Sequence, residues 1–401
     1  MMPLAGKRIV LGVCGSIAAY KAAGLCSKLV QAGAEVDVIL TASAQEFITP
    51  FTFRSLTGRP VFTSMFEPVT DQREEHVSLA RAADLILIAP ASASTIARLT
   101  YGLADDMLSL TVLASRAPVL IAPAMDSQMW EAPATHENVE TLKRRGVNFV
   151  GPAVGRLASG NVGAGRLEDT ETILGAVKAI LARNGDLAGY RIVVSAGGTR
   201  EPLDPVRFIG NRSSGKMGYA LAEAGRDRGA HVTLVSASTG LPAPYGVDLV
   251  PAETVADMRA AVLAASANAD ALIMAAGVSD FRPAEPAPEK LKKGAADLIL
   301  QLVKTEDFFH EAPGHLVKVA FAAETQDVIE NARRKPQTHG RLDLICANDV
   351  SATDAGFGAD TNRVSIIDAS GAVEELPLLS KYEVAQRILD RMLPLLREKR
   401  R

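Results

Sequence analysis

A short passage that occurs twice constrains this chain more than any other feature. Lys28-Leu-Val-Gln-Ala-Gly-Ala-Glu-Val-Asp-Val-Ile and Arg226-Asp-Arg-Gly-Ala-His-Val-Thr-Leu-Val each read as a helix end, a Gly-Ala turn and a β-branched strand. Each follows an earlier strand and a glycine turn: Arg8–Val13 with Cys14-Gly15-Ser16, and Arg191–Val194 with Gly197-Gly198. A strand, a crossover helix and a second strand are how a parallel sheet begins. The chain therefore opens such a sheet twice. Its 401 residues exceed what one hydrophobic core usually supports. The pattern pauses around Asn184-Gly185-Asp186 and restarts. We expect domains at 1–187 and 188–401, joined near Asp186–Gly189.

Further strands are expected at Asp84–Ala89, Val119–Ala122, His231–Val235 and Ala271–Met274, because short continuous apolar runs mark buried parallel strands. Helices are expected over Ile17–Gln31 and from about Gly215 to Arg228. Gly151–Arg166 is rich in glycine and has no period, and Phe281–Gly294 is rich in proline and charge. Both read as long loops at strand ends, where open α/β sheets bind ligands. Active-site lids are the functional reading, surface excursions the bland one.

Composition bounds the partners. Hydrophobic residues are 48%, charged residues 22%, and the net charge is -3 with both signs interspersed. That gives no reason to expect nucleic acid or an anionic membrane. The apolar stretch Ile9–Leu25 is broken by Gly12, Gly15, Ser16, Tyr20 and Lys21. It fits a strand, turn and helix better than a signal or anchor. Cys14, Cys26 and Cys346 form no CxxC pair and no metal spacing. A reducing, cytoplasmic setting is expected.

Several strand ends carry chemistry. Gly12-Val-Cys-Gly15-Ser16 leads into a helix whose N-terminal N–H groups suit an anion, although the turn alone would also require glycine. The second strand ends in Thr41-Ala-Ser43 rather than the acidic residue that holds a dinucleotide ribose, which favours a mononucleotide such as FMN. Pro90-Ala-Ser92-Ala-Ser94-Thr95 places small hydroxyls at another strand end. Pro123-Ala124-Met125-Asp126-Ser-Gln-Met129-Trp130 adds a carboxylate. His76 opens a helix at Glu75-His-Val-Ser-Leu, and an imidazole suits proton transfer near neutral pH.

These motifs, with Gly163-Ala-Gly-Arg166, stand in the order seen in the flavin-dependent cysteine decarboxylases. Residues 6–182 most resemble the phosphopantothenoylcysteine decarboxylase half of the bifunctional enzymes of coenzyme A synthesis. The resemblance implies that FMN accepts electrons from a cysteinyl thiol and so allows loss of the carboxylate. It implies His76 as catalytic base and Gly15, Ser16, Thr41, Ser92, Ser94, Thr95 and Ala124 as FMN contacts. Phe47, Met129 and Asp126 correspond to substrate contacts. Two positions depart from the family: Asp126 stands where Asn is usual, and Ser159-Gly160 where Cys-Gly often supplies a proton. Both positions are taken as catalytic, with Asp126 expected to have a raised pKa and to serve as the acid.

In the second half, Gly210 to Lys216 has the G-x4-G-K spacing, but Met217 cannot ligate Mg2+ as a phosphate loop requires. Ser213 and Ser214 at the helix start remain phosphate donors. Glu289-Lys290-Leu-Lys292-Lys293, on a loop, suits a triphosphate if it is not solvated surface. Asp280 suits Mg2+ beside phosphate oxygens. Together with Gly197–Pro202, Ala320-Phe321-Ala-Ala-Glu324 and Asp343–Asp349, these motifs resemble the phosphopantothenate–cysteine ligase half of the same enzymes, over residues 189–392.

That resemblance implies activation of 4'-phosphopantothenate by CTP as an acyl-cytidylate, which cysteine then opens. It implies Asn211 as the group polarising the acyl carbonyl and Lys290 as a catalytic, triphosphate-binding lysine. Arg207, Asn211 and Ala276 correspond to substrate contacts. Ser213, Ser214, Gly215, Lys216, Gly277, Val278, Asp280, Asp307, Phe308, Phe321 and Lys335 correspond to CTP contacts, with Mg2+ at Asp280. A second family lysine falls near His339-Gly340, where this chain has none.

The expected fold is α/β: two tandem Rossmann-like domains, each a mainly parallel sheet flanked by helices, the first of the cysteine decarboxylase type. The expected partners are small molecules, and the resemblance implies a homo-oligomer, up to a dodecamer of trimers and dimers. Two other readings stay open on the residues. One is an NAD(P)-dependent oxidoreductase, disfavoured by Thr41 and Ser236 at the two second-strand ends. The other is an active ligase fused to a flavin-binding domain of impaired or regulatory role.

Overall fold

Each half of the chain builds its own sheet. The computed structural model describes residues 4–67, 70, 74–237, 239–293, 298–324, 342–349, 356 and 358–400. The chain divides into unit one, Met1–Leu181, and unit two, Ala182–Arg401. The segment around Asp186 folds with unit two: Leu187 is fully buried in its core and Asp186 pairs with Arg228.

Unit one runs β1 (Arg8–Val13), α1 (Ala19–Gln31), β2 (Glu35–Leu40), α2 (Ala42–Gln45), α3 (Pro50–Thr57), β3 (Val61–Phe62), α4 (Glu75–Ala82), β4 (Leu85–Ala91) and α5 (Ala93–Tyr101). It continues with α6 (Met107–Ala114), β5 (Val119–Pro123), α7 (Ser127–Glu131), α8 (Pro133–Arg144), β6 (Asn148–Phe149), β7 (Ala153–Arg156), β8 (Val162–Arg166) and α9 (Thr170–Leu181). The main sheet has the order β3-β2-β1-β4-β5-β6, and every pair is parallel. Helices cover both faces, so β4 is buried along its whole length rather than at alternate residues. That is why its sequence reads as an unbroken apolar run.

The glycine-rich segment expected as a loop is instead structured. β7 and β8 pair as an antiparallel hairpin with one irregularity after Ala153. Its valines Val154 and Val162 are exposed and only Gly165 of β8 is buried, so no apolar face announces the strands.

Unit two runs β9 (Arg191–Ala196), β10 (Arg200–Pro202), β11 (Phe208–Gly210), α10 (Lys216–Arg226), β12 (His231–Ser236), β13 (Asp248–Pro251), α11 (Val255–Ser266), β14 (Ala271–Met274), β15 (Phe281–Pro283) and β16 (Leu302–Lys304). After a 3-10 turn at Phe309–Glu311 come β17 (Val317–Glu324), β18 (Leu344–Asp349), β19 (Thr361–Asn362), β20 (Val364–Asp368), β21 (Val373–Glu375), β22 (Leu379–Ser380) and α12 (Lys381–Lys399). The eight-stranded sheet has the order β13-β12-β9-β14-β17-β18-β20-β21. It is parallel through β18 and antiparallel beyond. The segment expected as a loop from Phe281 opens on β15, which pairs with β16.

Several helix starts carry reciprocal caps. Ser380 and Glu383 form a reciprocal box on α12, and Asp106 and Ser109 one on α6. Such caps contribute about 1 kcal/mol each.

Candidate active sites

In unit one the strand order reverses between β1 and β4, and the carboxyl edge at such a reversal is where open sheets take ligands. The expected flavin residues lie along that edge. Gly15 and Ser16 follow β1, Thr41 follows β2, Ser92, Ser94 and Thr95 follow β4, and Ala124 follows β5. Ser92 caps α5, accepting from the Thr95 N–H at 3.2 Å. The Thr95 hydroxyl donates to Cys14 Sγ at 3.2 Å, and Ser16 Oγ donates to the Ala124 carbonyl at 3.4 Å. Thr41 caps α2 through the Ala44 N–H. A Cβ on Gly15 would lie 2.4 Å from Ser43 Cβ, so only glycine lets the β1 and β2 ends approach this closely. Burial pushes the Cys14 thiol up to about 11, despite the Thr95 bond, so it stays neutral. The edge thus offers hydroxyls, exposed N–H groups and small residues, which fit a flavin mononucleotide phosphate and a flat ring.

β8 brings the hairpin to the same edge. The Met125 N–H donates to the Gly165 carbonyl at 2.9 Å. Ser159, at the hairpin turn, donates its hydroxyl to Asp126 Oδ2 at 2.7 Å. Asp126 also caps α7 by accepting from the Gln128 N–H at 3.1 Å. These two bonds, Ser159 first, hold the Asp126 carboxyl below its ordinary range. This corrects the expectation of a raised pKa: Asp126 is ionised near neutral pH, and a carboxylate that accepts two hydrogen bonds is no acid. Phe47 and Met129 are half exposed near the same strand ends. His76 is half-buried at the second position of α4, and among the described residues no hydrogen bond or ion pair joins it to this edge.

In unit two the order reverses between β9 and β14. A cavity of about 550 Å3 opens there. Its walls bring together Asn211, Ser213, Ser214, Gly215, Lys216, Ala276, Gly277, Val278, Asp280, Asp307, Phe308 and Phe321. The β9 end builds this wall. Ser195 Oγ accepts from the Ala275 and Ala276 N–H groups, both at 3.1 Å. The Gly277 N–H donates to the Gly197 carbonyl at 2.8 Å, and Asn211 Nδ2 donates to the Val278 carbonyl at 3.1 Å. Gly215, at φ +77°, turns the chain into α10 with no side chain of its own as a cap, and the first helical N–H, of Lys216, donates to Ser214 Oγ at 3.5 Å, so this helix start brings hydroxyl and backbone donors to the cavity. Asp280, Glu306 and Asp307 supply carboxylates beside this anion-seeking wall.

Other expected residues are elsewhere. Arg207 does not line the cavity; it binds Asp204 through Nε at 2.9 Å and Nη2 at 2.5 Å. That pairing holds the buried Asp204 carboxyl well below the usual range, and Asp204 also accepts from the Leu291 N–H. Arg207 donates in turn to the Leu291 carbonyl, which fastens the segment carrying Lys290. Lys290 is exposed and does not line the cavity. Lys335, and the position of the second family lysine near His339, lie outside the described residues.

Sequence reasoning missed Lys381, Lys304, Asn348 and Asn362, which also line the cavity. The Ser380-x-x-Glu383 box announced a helix start, but not that Lys381 would reach this cavity.

The comparisons divide the chain in the same way. The family model described as Flavoprotein matches residues 2–182. The model described as DNA/pantothenate metabolism flavoprotein C-terminal domain matches residues 187–395. The chain is 45% identical over 392 residues to the coenzyme A biosynthesis bifunctional protein CoaBC of Bacillus subtilis, covering 96% of each. It is 43% identical over 407 residues to the protein of that name from Escherichia coli K12, covering 100% of each. Among solved structures, it matches a C-terminal domain of such a protein at 38% identity and TM-score 0.46, covering 53% of this chain and 99% of that one. It matches the FMN-dependent cysteine decarboxylase SpaF at 31% identity and TM-score 0.38, covering 43% and 94%.

Proposed function

The chain belongs to the family of coenzyme A biosynthesis bifunctional proteins, and from that premise we propose how its two sites divide the work. It is a bifunctional decarboxylase and ligase. Unit two joins 4'-phosphopantothenate to cysteine with CTP. Unit one then decarboxylates the 4'-phospho-N-pantothenoylcysteine to 4'-phosphopantetheine.

One observation carries the ligase reading: Asn211, the Ser213–Lys216 helix start and Asp280 converge on a single cavity at the sheet's reversal point. The substrate carboxylate attacks the α-phosphorus of CTP, and pyrophosphate leaves. The cysteine amine then attacks the acyl carbon, and CMP leaves with the bonding electrons. The Ser213 and Ser214 hydroxyls and the α10 N–H groups hold phosphate oxygens, and Lys216 adds charge. The Asn211 amide donates to the acyl oxygen as charge builds on it. Asp280 would hold Mg2+, which needs only one or two protein carboxylates beside a polyphosphate and would neutralise its charge. Lys290, exposed on the segment that follows β15, would add charge to the triphosphate.

In unit one, Gly15, Ser16, Thr41, Ser92, Ser94, Thr95 and Ala124 hold FMN. Bound there, FMN supplies a reversible two-electron acceptor. His76 takes the proton from the substrate thiol at an imidazole nitrogen. Phe47 and Met129 cover the substrate, and the β7–β8 hairpin lies over it with Ser159 bonded to Asp126. The exposed apolar residues Ile17, Tyr20 and Phe51 in unit one, and Phe208 and Ile299 in unit two, support a homo-oligomer. No helix among the described residues is long and apolar enough to cross a membrane.

The test is direct. Purified protein is given 4'-phosphopantothenate, cysteine and CTP, and pyrophosphate is followed. Release that requires both acceptor substrates and stops on chelation of Mg2+ supports the ligase. A protein with no flavin absorbance in the visible and no CO2 release from supplied 4'-phospho-N-pantothenoylcysteine contradicts the decarboxylase.

A further inference from the structure

Lys381 is out of place by three ordinary rules. It is the first residue of the 19-residue helix α12, where the helix dipole disfavours a cation. It is only 6% exposed, and a buried charge without a partner is costly. A second cation, Lys216, is close enough to act on it: burial first, then Lys216, push the Lys381 ammonium below its ordinary range, with Asp360 opposing.

Its bonds do not resolve the conflict. Lys381 Nζ donates to the carbonyls of Gly356 at 2.9 Å, Thr361 at 3.3 Å and Ala359. These satisfy its N–H groups but leave its charge in place. Asp360, the nearby carboxylate, is spent on Lys216, whose Nζ lies 2.7 Å from it and 2.9 Å from the Gly358 carbonyl. Among the described residues no carboxylate pairs with Lys381.

The geometry supplies a use for the misplaced charge. Lys381 and Lys216 line the same cavity. Each is the first residue of its helix, so lysines from two different helices converge on one space, while the backbone N–H groups that start α12 are already capped by Ser380 and the Asp360 carbonyl. The cavity thus gathers positive charge from two sides.

We propose that Lys381 is a phosphate-binding residue of this cavity, carrying a positive charge that the polyphosphate of a nucleoside triphosphate neutralises together with Lys216. This rests on reading the cavity as a nucleoside triphosphate site. The Gly356, Ala359 and Thr361 carbonyls hold the ammonium in position before the ligand arrives, so little ordering is needed on binding.

The full-length protein and its Lys381→Met and Lys381→Arg variants are titrated with CTP by calorimetry, and with cytidine, which has no phosphate, by ligand-detected NMR. We expect Lys381→Met to bind CTP about tenfold or more weakly, to bind cytidine as the parent does, and to be largely restored by Lys381→Arg. Unchanged CTP affinity in Lys381→Met overturns the assignment. Equal weakening of CTP and cytidine overturns it too, because Lys381 would then only fix the Gly356, Ala359 and Thr361 carbonyls in place. Failure of the parent itself to bind CTP refutes the triphosphate reading of the cavity, which is a different result from either of these.

Discussion

The two units use one sheet geometry for opposite electrostatics. Both place their site where the strand order reverses, at the carboxyl edge. In unit one that edge is lined by glycine, small hydroxyls and a neutral thiol, with Asp126 as the carboxylate on its rim. In unit two the cavity gathers Lys216, Lys304, Lys381, Asp280, Glu306 and Asp307. A flavin with one phosphate needs a flat, close-fitting cradle. A triphosphate with a divalent ion needs charges of both signs. The fold supplies the place, and the strand-end residues decide the chemistry.

The comparison breaks most visibly if one mutation damages both activities. Asn211→Ala should lower ligase turnover about 100-fold to 1,000-fold by removing a donor to the developing oxyanion. CO2 release from supplied 4'-phospho-N-pantothenoylcysteine should not change. Gly15→Val should lower decarboxylation about 100-fold, because the added side chain displaces the strand ends that seat the flavin. The variant should purify colourless while pyrophosphate release by unit two persists. A yellow Gly15→Val protein would show that the flavin sits elsewhere.

A smaller effect sharpens the role of the rim carboxylate. The lowered pKa of Asp126 makes it an anion facing an anionic substrate. Asp126→Asn should therefore keep kcat and lower KM by about threefold to fivefold. A large fall in kcat would restore Asp126 as the proton donor. Smallest is a shared effect of burial on the thiols. Burial raises Cys14 to about 11 and pushes Cys346 up as well, from an ordinary 9.0. The native state then keeps protons that the unfolded chain releases above pH 9. Stability of both units should fall as pH rises past that point, in denaturant titrations at pH 8 to 10.5. A flat profile would show both thiols exposed.

Much of this was legible in the sequence because parallel strands buried on both faces leave continuous apolar runs. β1 and β14 are found at the expected bounds, and glycines and hydroxyls at the strand ends mark the edge. The β7–β8 hairpin was hidden because glycines and half-exposed residues leave no period of two. Arg207 was misplaced because sequence shows its charge but not that Asp204 claims it. The Asp126 pKa depended on Ser159 meeting it across the hairpin, and the Lys381 charge on a helix returning from the far end of the unit. Contacts between distant segments carry no local pattern.

The central claim is that one chain couples two chemistries, each at its own sheet edge. Carboxyl-labelled cysteine, 4'-phosphopantothenate and CTP given to the purified full-length protein test it most directly, with CMP and labelled CO2 counted together. The parent protein should release one CO2 for each CMP, and Gly15→Val should release CMP without CO2. CMP without CO2 in the parent would contradict it, leaving an active ligase joined to a flavin-binding unit that does not decarboxylate.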